Sequence, residues 1–150
     1  MITFSHPTTI LIAGPTQAGK TFFFKHILEH QLIQPSHSRV IYVFGEHARN
    51  LTDLKHLYPT IEYVQAMKKF LDILPTIEAD ERNLVVLHDQ MSEAGKLGET
   101  SNLITKGSHH RNITVVYIVQ NVFDKGKVHR TISLNSHYRC SSKIHETIVK

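Results

Sequence analysis

Eight residues near the start of the chain, Gly14-Pro15-Thr16-Gln17-Ala18-Gly19-Lys20-Thr21, have the types and spacing to hold a phosphate. Glycines at both ends let the backbone turn tightly, so that successive N–H groups point inward at phosphate oxygens. Pro15 has no N–H, which leaves Thr16, Gln17, Ala18 and Gly19 as the backbone donors. A helix opening near Gly19 would add the positive end of its dipole. Lys20 would reach the outer phosphates, and the Thr21 hydroxyl would bind Mg²⁺. The segment fits G-x-x-x-x-G-K-[ST] in full, the phosphate loop of P-loop NTPases. That pattern is informative only between a buried strand and a helix.

Such chemistry needs a carboxylate at the tip of a second buried strand, to support the metal or to activate water. Leu84-Val85-Val86-Leu87-His88-Asp89-Gln90 is the one apolar run that ends in an acid. Asp89 is therefore the candidate for holding Mg²⁺ or orienting the attacking water, its alternative being a turn residue after the strand. His88 is a poor partner for Mg²⁺, a hard ion that prefers oxygen. Gln120, after the apolar run Val115–Val119, is either a contact to the γ-phosphate or water, or a strand-end turn residue. Arg111 is a candidate for steadying transition-state charge on a neighbouring subunit's nucleotide or for gripping DNA phosphate, and otherwise a solvated loop arginine. His137, Cys140 and His145, with His109 or His110, could in principle form a zinc site. Their spacing lacks the paired ligands usual for one.

These residues require elements to position them. Four β-rich runs, at 8–13, 39–44, 83–87 and 112–120, are nearly continuous in apolar character. That pattern predicts strands buried on both faces of a parallel sheet. Helical spacing links Phe24, Ile27, Leu28 and Leu32, and again Met67, Phe70, Leu71 and Leu74, with Pro75 expected to end or kink the second helix. Residues 100–106 form a weaker helical candidate. Strand–helix alternation predicts a three-layer α/β fold in a single domain over 1–150. No strong β run closes the sheet after residue 131, so the last strand is expected to be missing or altered and 139–150 atypical.

Composition narrows the setting. No stretch approaches the roughly 20 apolar residues of a membrane span, and the first nine residues lack the features of a secretory signal. The lone Cys140 suits a reducing compartment, so the expectation is an intracellular protein that is not secreted. Residues 1–95 carry 8 Lys and Arg against 10 Asp and Glu, a net of −2. Residues 96–150 carry 9 against 3, a net of +6. The basic final third either faces a polyanion such as DNA or is a solvated face.

On GPTQAGKT (14–21), LVVLHDQMSEAGK (84–96) and KGSHHRNITVVYIVQNVFDKGKVHRTISLNSHY (106–138), the chain resembles the FtsK/HerA-type DNA-packaging ATPases of Maverick/Polinton-type elements, adintoviruses and related double-stranded DNA viruses. The resemblance spans most of 8–138. It implies an additional-strand P-loop fold, ATP and Mg²⁺ as cofactors, and a homo-oligomeric ring, a hexamer, threading double-stranded DNA into a capsid with capsid or portal proteins as partners. The setting it implies is the host nucleus or cytoplasm, or the virion. It assigns Lys20 and Thr21 to phosphate and Mg²⁺, Asp89 to the acid pair after the second strand, and Gln120 to a polar sensor. Arg111 and Arg130 fall in the family's basic segment. Two departures stand out. His88 takes the place of the first acid, and RCSSKIHETIVK replaces the family's final apolar strand. Both point to a truncated or degenerate copy in which nucleotide binding outlasts turnover. A small-molecule kinase, a third reading, would need an arginine-rich lid and an acceptor pocket that the sequence does not offer.

Overall fold

In the computed structural model, residues 3–13, 20–45, 51–88, 112–119, 138–140 and 148–149 are described. Each of the four apolar runs is a strand: β2 (Thr9–Ala13), β4 (Arg39–Phe44), β6 (Asn83–His88) and β7 (Ile113–Val119). β6 runs one residue beyond the expected apolar stretch and takes in His88. β5 (Glu62–Gln65), β8 (Tyr138–Cys140) and β9 (Ile148–Val149) complete a seven-stranded sheet in the order β5-β4-β6-β7-β2-β8-β9. All pairings are parallel except that of β8 with β9. Two short strands, β1 (Phe4–Ser5) and β3 (Ile33–Gln34), pair separately.

Side chains alternate across a strand, so one set of apolar residues serves both faces. Leu11, Ile41, Val43, Val85, Leu87, Val115 and Tyr117 pack with Phe70 of α3 (Met67–Ile73) and with Leu74 of the 3-10 turn that follows it. Ile10, Ile12, Tyr42, Val86, Val116 and Ile118 pack with Phe24 and Ile27 of α1 (Lys20–Glu29) and with Leu54 of α2 (Leu51–Leu57). Helices therefore cover both faces, which is the predicted three-layer arrangement. Pro75 lies in the 3-10 turn Leu74–Thr76 that follows α3, as its missing N–H requires. The helical candidate at 100–106 lies outside the described residues.

The closing strand is altered rather than missing. β8 has three residues and pairs with β2 through Ile10↔Tyr138, Leu11↔Arg139 and Ile12↔Cys140. A backbone ladder at a sheet margin needs no continuous apolar run, so the polar composition of this segment did not disclose it.

α1 ends in a Schellman motif. Leu32 N–H donates to Ile27 C=O at 3.0 Å and Gln31 N–H to Leu28 C=O at 3.3 Å, with Gln31 at φ 50°. This explains why Leu32 follows the helical spacing yet lies past the helix end, where it is buried with Ile27. A residue with a Cβ is strained in the left-handed region. Gln31→Gly is therefore expected to stabilise the fold by about 0.5–1 kcal/mol. In a thermal melt that is a rise of roughly 1–4 °C, and a lower melting temperature would count against this assignment.

Candidate phosphate site at the strand tips

β2 runs to Ala13 and α1 begins at Lys20, so the glycine-rich segment joins a buried strand to a helix, the context the motif demands. Gly14, Thr16, Gln17, Ala18 and Gly19 lie outside the described residues. The backbone of Lys20 and Thr21 forms the opening of α1. Asp89, Gln120 and Arg111 also lie outside. What the structure provides is the position of the strands that lead to them.

Phe44 pairs with His88, His88 with Ile118, and Ile118 with Ile12. β4, β6, β7 and β2 thus end side by side on one edge of the sheet. Gly14, Asp89 and Gln120 are the next residues of their chains after β2 and β6, and after Val119 of β7. In an open parallel sheet this carboxyl edge is where ligands bind. The two strands leading to Gly14 and Asp89 are not adjacent, because β7 lies between them. This is the additional-strand order.

Arg111 stands apart from that grouping. Its neighbour Asn112, at φ 56°, precedes β7 at the opposite end of the sheet, where its carbonyl accepts from Asn83 N–H at 3.0 Å. Seven strand residues separate that end from the tips, roughly 20 Å at about 3.3 Å per residue. The start of β7 is thus far from the strand tips, which leaves open the readings of Arg111 as a contact to a neighbouring subunit or to DNA, or as a solvated loop arginine.

His88 is the last residue of β6 and only 7% exposed. Its Nδ1 lies 2.8 Å from the Tyr42 hydroxyl on the neighbouring strand. The Tyr42 ring is itself fully buried, edge-on to the imidazole at 5.8 Å and 5.5 Å from the Phe24 ring of α1. The ring of Tyr63 of β5 lies 6.0 Å from that of Tyr42. The imidazole therefore sits on the α1 face of the sheet, next to the helix that follows the glycine-rich segment. Lys55 of α2 rests over Phe44 and Tyr63, 5.2 and 5.5 Å from their ring centres, and brings a cation to the tips of β4 and β5.

Sequence reasoning identified His88 as the residue in place of an acid but missed its partner. The available signal was Tyr42 itself, one hydroxyl inside an otherwise apolar strand. A buried phenol usually finds a hydrogen-bond partner. On the α3 face, burial pushes the Tyr117 phenol well above its ordinary value and keeps it neutral.

A second polar group lies at the far end of the sheet. His6 Nδ1 is 2.6 Å from Thr114 Oγ1, and its Nε2 is 2.9 Å from Asn112 Oδ1. Burial holds the His6 and His37 imidazoles below their ordinary values. This group fastens β1 to the start of β7 and is remote from the tips.

For Mg²⁺, the test is the donor set. An imidazole tied through Nδ1 to a phenol is not an oxygen ligand, so His88 does not fit; Thr21 and Asp89 are the residues whose chemistry does. Among the described residues no group of three or more histidine, cysteine or acidic side chains could hold a metal. Cys140 lies in β8, while His109, His110, His137 and His145 fall outside the described residues. Among the described residues no helix is long and apolar enough to cross a membrane.

Known structures share this architecture. The chain is similar to a KaiC-like protein from Pyrococcus horikoshii, with a TM-score of 0.59 and 18% identity over 92% of this chain and 72% of that one. It is similar to the cytoplasmic domain of EssC, with a TM-score of 0.60 and 11% identity over 89% of this chain and 30% of that one. It is also similar to the genome packaging NTPase B204 of Sulfolobus turreted icosahedral virus 2, in complex with ATP-gammaS. There the TM-score is 0.56 and the identity 12%, over 89% of this chain and 73% of that one. These likenesses establish the fold as that of the P-loop NTPases. No protein-family model matches the sequence, and no curated protein matches it.

Proposed function

We propose that this chain binds ATP with Mg²⁺ at residues 14–21 and serves in a homo-oligomeric ring, a hexamer by its resemblance, that moves viral double-stranded DNA toward a capsid. The observation that carries this is the common carboxyl edge of β2, β6 and β7. It gathers the strands leading to the glycine-rich segment, to Asp89 and to Gln120 in additional-strand order. Lys20 grips the outer phosphates, Asp89 orients water or supports the metal, and Gln120 contacts the γ-phosphate or the water. Thr21 and Asp89 would hold Mg²⁺, which would supply neutralisation of phosphate charge. The fold's presence in a viral genome packaging NTPase supports the motor reading. So does the +6 charge of residues 96–150. Capsid or portal proteins are the partners this reading requires, within an infected cell or the virion.

One observation favours a weaker enzyme. The Tyr42–His88 pair fills the first acid position with a group that carries no negative charge. On that reading the chain binds nucleotide and turns it over slowly. The experiment that decides is ATP hydrolysis with and without double-stranded DNA, run beside Lys20→Ala. DNA-stimulated phosphate release that disappears in the variant supports the motor. Nucleotide binding with hydrolysis at the variant's level supports the binding protein.

The DNA contact has its own signature. Binding should be indifferent to sequence and should weaken steeply with salt, as phosphate contacts release counterions. Arg111→Ala and Lys106→Ala should each weaken it and lower the slope of log K against log salt by about 1. Fluorescence anisotropy across a salt series measures both. Salt-independent binding to one sequence, or no binding in low salt, would contradict the proposal.

A further inference from the structure

His6 lies between β1 and β2, and both nitrogens of its ring meet residues at the start of β7. Nε2 is 2.9 Å from Asn112 Oδ1, and Nδ1 is 2.6 Å from Thr114 Oγ1. The direction of these bonds is fixed at the far end of the series. Asn112 Nδ2 donates to the Glu81 backbone carbonyl at 2.9 Å, and a carbonyl can only accept. The amide oxygen of Asn112 is therefore the atom presented to His6, and Nε2 must donate to it. In a neutral imidazole the other nitrogen accepts, so the Thr114 hydroxyl donates to Nδ1. Hydrogen bonds thus run one way, from Thr114 through the imidazole and Asn112 to Glu81.

A second proton on the ring breaks this order. Both nitrogens then donate, and Nδ1–H meets the Thr114 O–H. The hydroxyl must turn away, yet Thr114 is fully buried, and a buried polar group without a partner is costly. The surrounding charges oppose the same proton. Arg82, whose Nε donates to the Ser36 carbonyl, acts on His6. His6 in turn opposes a proton on His37, in the connection from β3 to β4, whose Nδ1 is buried without a hydrogen-bond partner. Glu81 offers its backbone carbonyl, while its carboxylate acts on Arg39. β1 (Phe4, Ser5) and β3 (Ile33, Gln34) bring no charged side chain. Among the described residues, the charge that acts on the His6 ring is basic.

We propose that His6 is a proton-operated latch: neutral, it fastens the segment after β1 to the start of β7, and protonated, it lets go, so that the fold loosens in mild acid. The latch is independent of the nucleotide reading. Burial holds the folded imidazole below its ordinary value of 6.5, so the unfolded chain takes up the proton first. The latch therefore contributes its full stability above pH 6.5 and loses it as the pH falls toward the folded value.

Two measurements on the full chain test this. Long-range ¹H–¹⁵N spectra of protein labelled at histidine, taken from about pH 8 downward, where an ordinary imidazole starts neutral, report which nitrogen bears the proton. His6→Gln identifies the His6 signals. The expected state is the Nε2–H tautomer, persisting in the folded protein below pH 6.5. An Nδ1–H tautomer, or a folded-state ring that takes up its proton at 6.5 or above, overturns the latch. Urea unfolding at a series of pH values, from neutral to one unit below 6.5, then compares the unmodified protein with His6→Gln. The glutamine amide can donate to Asn112 and accept from Thr114, but it does not titrate. The unfolding constant of the unmodified protein, divided by that of the variant, should rise severalfold across the series. Its ceiling is about tenfold, the effect of one proton taken up on unfolding over one pH unit. The other histidines are common to both proteins and cancel in the ratio. A ratio that stays constant, or falls, overturns the latch. Should His6→Gln not fold, Thr114→Val, which keeps the side-chain shape and removes the hydroxyl, identifies the His6 ring by its altered Nδ1 signal. The tautomer and its titration then decide alone.

Discussion

Saturating ATP with Mg²⁺ is expected to raise the melting temperature of this protein, and Lys20→Ala to remove most of the rise. A ligand that binds only the folded state stabilises it by RT ln(1 + [L]/Kd), about 2.7 kcal/mol at one hundred times Kd. For a chain of this length that is a shift of roughly 5–10 °C. Lys20 opens α1 directly after the glycine-rich segment. On the proposed reading its ammonium would supply the charge that meets the outer phosphates. Removing it leaves the backbone donors but forfeits the ion pair, so the shift should collapse while the melting temperature without nucleotide serves as the reference. Differential scanning calorimetry with and without the ligand measures both. An unchanged melting temperature in saturating ATP and Mg²⁺ would sink the nucleotide reading as a whole, whatever the DNA experiments showed.

That test is needed because sequence and structure are informative about different parts of the site. The strands β2, β4, β6 and β7 were legible because each is buried on both faces and so is written in nearly unbroken apolar residues. Helices α1 and α3 were legible from the spacing of Phe24 and Ile27, and of Phe70 and the Leu74 that follows α3. Elements at the margins were not. β5 buries only Val64 of its four residues, and α2 buries only Leu51 and Leu54 of its seven. Neither pattern rises above that of a surface loop. β8 is held by backbone pairing to β2, which residue types do not disclose. At the site, the motif pointed to the glycine-rich segment and the end of the third apolar run pointed to Asp89. The structure supplies the common edge at which their strands end. The Tyr42 hydroxyl signalled that a partner was needed but not which one, because the bond joins residues 46 positions apart through a register that the parallel pairing of β4 and β6 creates.

His88→Asp is expected to raise kcat on the order of 100-fold while changing nucleotide affinity in Mg²⁺ little. The argument begins with what the strand tip contains. P-loop chemistry calls for negative charge after this strand, to steady the hydrated metal and to orient the attacking water. On the proposed reading Asp89 would be one carboxylate for two tasks. The residue before it is an imidazole whose Nδ1 is bound to a buried phenol. That ring suits softer ions than Mg²⁺ and cannot take the missing acid's part. An aspartate at position 88 would keep the Tyr42 hydroxyl satisfied, because a carboxylate oxygen can accept from it, and would leave its second oxygen for metal-bound water. Asp89 would then be released to act on the water alone. An added group of that kind works chiefly in the transition state, so its effect falls on kcat rather than on binding. One well-placed catalytic group contributes on the order of 100-fold or more. A ring motor also needs its neighbours, and β8, the strand beside β2, has only three residues. Oligomeric state must therefore be measured by light scattering on the same samples, so that a change in assembly is not read as a change in chemistry. Steady-state phosphate release under saturating ATP gives kcat. Brisk hydrolysis by the unmodified protein, slowed by His88→Asp at equal oligomeric state, would show that His88 does not stand in the place of an acid.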